Sequence, residues 1–143
     1  MNTEVIDIKT IGSDGKGSLS FYEAQRTVPF PIRRVYYTYG VEAGIERGAH
    51  AHRDLWQLLV CPNGCVEVLL EDESHRWSER LDRPDKGLVI GPYVWHSMVW
   101  RTEGAVLLVS ASDWYDEGDY IRDYDTFRRE VRAYVARTAE PGA

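Results

Sequence analysis

Apolar and polar residues alternate along most of this chain in short runs, with turn residues every eight to twelve positions. That period of two predicts β-strands. A weak alternation over residues 1–12 (Val5, Ile6, Ile8, Ile11) predicts an edge strand. Gly12 to Gly17 then forms a turn, Ser18 to Ala24 a short strand, and Pro29-Phe30-Pro31 a break. The run RRVYYTYGV, residues 33–41, is the clearest strand, because β-branched and aromatic side chains dominate it. Val35, Tyr37 and Tyr39 share one of its faces; Arg34, Tyr36 and Thr38 share the other. Further strands follow at 55–61, 66–70, 75–81, 88–90, from His96 onward and at 105–111. The period changes after Asp119. Ile121, Tyr124, Phe127, Val131 and Tyr134 recur every three or four residues, predicting an amphipathic helix to Arg137 that packs outside the strands. Residues 139–143 are expected to fray. The whole reads as one domain: an all-β sandwich or barrel over about 1–112, then an extension and α-helix over about 113–137.

Composition narrows the function. At 143 residues and 43% apolar content the chain builds a real core. A net charge of −6 argues against nucleic-acid binding. No apolar run is long enough to span a membrane, the N-terminus is too polar for a signal peptide, and the cytoplasm is the expected compartment. Cys61 and Cys65 read as free thiols, and with no second pair they make no zinc site. Fourteen arginines against three lysines favour forked contacts to phosphate or carboxylate, although surface ion pairs account for most of them.

Gly44 to Gly64 reads GIERGAHAHRDLWQLLVCPNG. On a strand, His50 and His52 point to the same face and Ala51 to the other. The spacing Gly, five residues, His-x-His, four residues, Gln57, six residues, Gly resembles the first motif of the cupin β-barrels, with Gln57 in place of the metal-binding Glu. Gly87, Pro92 and His96 match the second motif loosely, which places a third imidazole at the barrel mouth. A neutral amide balances a divalent charge poorly, so a metal-free site is expected; three histidines alone do serve zinc in some enzymes. Imidazoles with pKa near 6.5 among phenols and an arginine suit proton transfer next to a carbonyl. No G-x-G-x-x-G and no P-loop is present, and no cofactor is expected.

The runs RVYYTYGVEAGIERGAHAHRDLWQLLVCPNG, LDRPDKGLVIGPYVWHSM and ASDWYDEGDYIRDYDTF closely resemble the nucleotide-sugar 3,4-ketoisomerases of the cupin superfamily, over roughly residues 12 to 128. The resemblance implies a cupin, jelly-roll-like barrel. It also implies metal-independent tautomerisation of dTDP-4-keto-6-deoxyglucose through an enediol, in a homodimer with exchanged N-terminal strands. Carried over, His52 is the expected base at sugar carbon 3, His50 its partner at carbon 4, and Tyr37 the group holding or protonating a sugar oxygen. Arg47 and Arg34 are the expected diphosphate ligands, with strand parity setting Arg34 opposite Tyr37. Tyr39 and Gln57 complete the expected substrate contacts. Lys16 and His96 are expected to govern the configuration at carbon 4, His96 favouring the galacto product. The alternatives are a metal-dependent cupin such as a dioxygenase, a 3,5-epimerase, and a sugar-binding cupin without catalysis.

Overall fold

The computed structural model describes residues 2–139. Twelve strands form: β1 (Thr3–Asp7), β2 (Lys9–Ser13), β3 (Gly17–Phe21), β4 (Arg34–Thr38), β5 (Glu46–His52), β6 (Gln57–Asn63), β7 (Val66–Glu71), β8 (Arg76–Leu81), β9 (Lys86–Ile90), β10 (Trp95–Trp100), β11 (Val106–Ala111) and β12 (Tyr120–Ile121). One helix, α1 (Tyr124–Thr138), follows them. Two antiparallel five-stranded sheets run β1-β9-β6-β11-β4 and β12-β5-β10-β7-β8, and β2-β3 is a separate hairpin. No strand pairing joins the two large sheets among the described residues, so the expected barrel is an open jelly-roll sandwich.

The patterning explains what each layer buries. Leu59, Cys61, Val66, Val68, Leu88, Ile90, Trp100, Leu107 and Val109 fill the space between the sheets. β6 is apolar on both faces because Leu58 and Val60 also pack outward, against Ile8, Val28 and Phe30. On the outside of the second sheet, Phe127 and Val131 of α1 cover Ala51 and Ile121, with Trp95 and Tyr124 beside them. Cys61 and Cys65 are both buried and free.

The helix begins later than the periodicity suggests. Asp123 caps it, its carboxylate accepting from the Thr126 amide at 2.9 Å. Ile121 therefore belongs to β12 and reaches the same buried face from a strand. Of the tail expected to fray, residues 140–143 lie outside the described ones.

The turn after β6 is tightly built. Gly64 has φ +83°, and a Cβ there would meet Thr102 Oγ1 at 2.6 Å and Ala105 Cα at 2.8 Å. Gly64→Ala is expected to destabilise the fold by roughly 2 kcal/mol or more, since strained φ and overpacking act together. Urea unfolding at constant m-value measures it.

Candidate active site

β5 and β10 pair antiparallel with His96 opposite His50, then Ser97 opposite Gly48. One residue, Ala49, is left over, which makes a β-bulge with Gly48 at φ +93° and Ala49 at φ +68°. The bulge matters for the site. Strict alternation would put Arg47 and His50 on opposite faces, yet both line one cavity because the extra residue restores the phase.

His50, His52 and His96 converge on that inner face. The His50 ring centre lies 5.1 Å from His52 and 4.8 Å from His96, edge to face in both cases. β12 closes the cluster from the other side: Tyr120 pairs with His52 and sets its ring 4.4 Å from that imidazole. Just before β12, Asp119 hydrogen-bonds His52 Nδ1 through Oδ2 at 3.0 Å and accepts from the Asp54 amide at 2.7 Å. A carboxylate on Nδ1 fixes the tautomer with the proton on that nitrogen, leaving Nε2 as the free lone pair. That Nε2 is buried and has no partner among the described residues, and the same is true of His50 Nδ1. His96 Nδ1 is 3.0 Å from the Val94 carbonyl, which accepts its proton.

Burial governs the titration of this cluster. It lowers His50 from 6.5 to about 2, helped by the neighbouring His96, His52 and Arg122. Burial lowers His96 to about 4, with the Val94 carbonyl opposing. For Asp119, burial alone would raise the carboxyl; hydrogen bonds from His52 and the Asp54 and Leu55 amides outweigh it and hold it below its ordinary value. His96 is thus neutral in the fold at a pH where the unfolded chain protonates it. Its contribution is complete above about pH 6.5 and drains as pH falls toward 4, by on the order of 3 kcal/mol. Denaturant titrations at pH 7 and pH 4.5 are expected to show that loss, and His96→Asn to flatten it.

A cavity of about 320 Å³ opens above His50, lined also by Arg34, Tyr36, Thr38, Arg47, Met98, Tyr120 and Arg122. Three guanidinium groups around one opening make a local positive field in an acidic protein. Arg34 Nε is buried and unpaired among the described residues, a donor open to an anion. Arg122 lies 4.3 Å over the Tyr120 ring and donates to Glu117 at 2.6 Å, which keeps the Glu117 carboxyl down at about 2. Tyr36 donates to no group among the described residues; burial first, then Tyr120, pushes its phenol up to about 12.

Several expected site residues stand elsewhere. Tyr37 and Tyr39 are 62% and 68% exposed, stacked on the outer face of β4. The β4–β11 register pairs Tyr36 with Val109, whose side chain faces the core, so Tyr36 supplies the pocket phenol. The inner face of β4 is the polar one because it lines a cavity there. Gln57 is 1% exposed and contacts Tyr36 behind the cavity wall. His96 lies under His50 at 2% exposure, away from the mouth. His52, expected as the base, is equally buried and does not line the cavity; His50 does. Lys16 is exposed in the β2–β3 turn, outside the lining of its own chain's cavity. Arg34 and Arg47 line the cavity. Sequence reasoning missed Asp119, Tyr120 and Arg122, although all three lie in the distinctive run around Tyr120 and Arg122 follows it by two positions.

The three histidines offer ligand nitrogens within 4.8 Å of one another, a spacing a metal ion can use. The fourth cupin position is the Gln57 amide, whose Nε2 donates to Tyr36 at 2.9 Å. Among the described residues no anionic ligand accompanies the imidazoles, and that donor set suits a divalent cation poorly.

Among the described residues no helix is long and apolar enough to cross a membrane. A family model described as FdtA: WxcM-like, C-terminal, matches residues 1–132. The TDP-4-oxo-6-deoxy-alpha-D-glucose-3,4-oxoisomerase of Aneurinibacillus thermoaerophilus is 44% identical over 131 residues, 92% of this chain and 94% of that protein. The sugar 3,4-ketoisomerase QdtA of Thermoanaerobacterium thermosaccharolyticum, solved with TDP, superposes with TM-score 0.89 at 44% identity, covering 93% of this chain and 96% of its own. A variant of QdtA solved with TDP-4-keto-6-deoxyglucose gives TM-score 0.89 at 42% identity, over 97% and 98% of the two chains. With nearly its full length matched in sequence and in fold, this chain belongs to the FdtA family and is kin to the sugar 3,4-ketoisomerases.

Proposed function

We propose that this protein is an isomerase converting dTDP-4-keto-6-deoxyglucose to the 3-keto sugar nucleotide, without a metal, a step that prepares the sugar for 3-amination. The observation that carries the reading is the desolvated histidine cluster under a cavity ringed by Arg34, Arg47 and Arg122. The arginines hold the diphosphate by forked, charge-assisted hydrogen bonds. The sugar then lies over His50.

The chemistry is a shift of hydrogen between neighbouring carbons. His50, kept neutral by burial, accepts the proton from carbon 3. The electron pair of that bond forms a double bond to carbon 4, and negative charge collects on the carbon 4 oxygen. The proton of the carbon 3 hydroxyl passes to that oxygen, which moves the negative charge of the enediolate to the carbon 3 oxygen. Return of the imidazolium proton to carbon 4 leaves the ketone at carbon 3. His52, held by Asp119, stands edge-on to His50 and is placed to relay or stabilise the proton there. This assignment exchanges the roles the two histidines are given by their sequence resemblance.

Incubation in deuterated water, followed by proton NMR, tests the reading. Exchange at carbons 3 and 4 with appearance of the 3-keto product supports it. Exchange at carbons 3 and 5 with the 4-ketone retained marks an epimerase, and binding without exchange marks a non-catalytic cupin. Coupling constants of the product, or of the amine formed with a 3-aminotransferase, read the configuration at carbon 4, which His96 is expected to direct to galacto. Turnover is expected to survive exhaustive EDTA treatment; loss with recovery on adding zinc or iron would overturn the metal-free mechanism.

The same reading includes a cytoplasmic homodimer. Ile11 and Leu19 on the β2–β3 hairpin and Val35, Tyr37 and Tyr39 on β4 are all exposed, and a second copy would cover them. It is also how Lys16 would reach a pocket. Light scattering is expected to give twice the 16.4 kDa chain mass.

A further inference from the structure

Gln57 opens β6 and is separated from β4 by β11, so its side chain crosses beneath β11 to reach Tyr36. Its Nε2 lies 2.9 Å from the phenol oxygen, while its Oε1 is buried without a partner. The amide could in principle face the other way. That would leave both N–H bonds of the amide unmade in the core, where the observed orientation leaves one N–H and the carbonyl oxygen, and unpaired buried N–H groups are the rarer case. An NH2 only donates. The phenol must therefore accept from Gln57, and its own hydrogen stays free on the cavity side, where Tyr36 lines the wall beside His50.

We propose that Gln57 is a positioning residue for Tyr36: by filling a lone pair of the phenol oxygen, it turns the hydroxyl hydrogen into the cavity as the hydrogen-bond donor to the ketone oxygen of the 4-keto sugar. The inference rests on the ketoisomerase reading. It gives the amide at this position a purpose distinct from metal ligation. A carboxylate would accept the phenol's hydrogen and leave the developing enediolate without a donor. The phenol is suited to the task because burial keeps it protonated far above any working pH.

Steady-state kinetics of Tyr36→Phe, Gln57→Glu and the double variant, in EDTA, test it. Tyr36→Phe is expected to lower kcat by about a hundredfold with KM nearly unchanged, the usual loss for one donor to a forming oxyanion. Gln57→Glu is expected to cost about as much by reversing the hydrogen bond, and the double variant no more than the worse single one. Gln57→Met, which keeps the site neutral should the buried carboxylate prevent folding, is expected to lose roughly tenfold, and nothing further when Tyr36→Phe is added. Effects that multiply, or a change in KM and thermal stability with kcat intact, would make Gln57 a packing residue and overturn the inference while the ketoisomerase reading stands. Wild-type protein that leaves the sugar unchanged would overturn both.

Discussion

His50→Asn is expected to reduce kcat for dTDP-4-keto-6-deoxyglucose by roughly a thousandfold or more while TDP still binds, because the general base is lost and the arginine ring is not. Of the three clustered imidazoles, only that of His50 lines the cavity. Asparagine keeps a polar group of similar reach, so the fold should tolerate it. Exchange of the carbon 3 hydrogen in deuterated water should stop with turnover, since one proton removal precedes both. Persistent exchange without product would show that another group takes the first proton and that His50 acts in the second half of the reaction. Loss of nucleotide affinity measured by calorimetry would instead place His50 in binding.

Asp119→Asn is expected to lower kcat by about a hundredfold with little change in KM. A carboxylate on Nδ1 demands a proton there; an amide can offer one instead and turn His52 into the opposite tautomer, with Nε2 protonated in a pocket that provides no acceptor for it. The loss is set below the roughly ten-thousandfold cost of a mis-set tautomer in a protease triad because His52 relays the proton and does not remove it. Nitrogen chemical shifts of His52 separate this from a merely structural effect, because only a change of tautomer exchanges the signatures of the two ring nitrogens. Asp119 also accepts from the Asp54 amide, so some stability is lost as well, and the comparison should be made well below the melting temperature. A variant with native kcat would remove Asp119 from the positioning of His52.

The fold was legible wherever burial sets the pattern. The alternation in β7, the double-sided run in β6 and the three-to-four spacing of Phe127 and Val131 each report which face meets the core. Capping of α1 was also written locally, as Asp123 three residues before Thr126. The site was legible as far as parity on an unbroken strand carries. His50 and His52 share a face, and Ala51 lies opposite them under the helix. On β4, parity separated the two sets of residues correctly but gave no means of choosing between them. The expectation of Tyr37 comes from the family resemblance, and the polar cavity on the inside of β4 takes the other set, Arg34, Tyr36 and Thr38. Asp119 and Tyr120 reach His52 through a pairing of β12 with β5, nearly half the chain apart, and no local periodicity encodes such a contact.

The leftover residue at Ala49 makes strand phase a determinant of chemistry. A sheet normally tolerates drift in its loops far better than in its strands; here a β5 of the same length that paired with β10 at every residue, without the bulge, would make a more regular sheet. Such a regular strand should be at least as well folded, yet its guanidinium at 47 would turn to the opposite side of the sheet from the imidazole at 50. Catalysis and anion capture would come apart in a molecule that passes every test of folding. The irregularity acts as a gauge, fixing how far a sugar ring over the imidazole can sit from the phosphates that carry it.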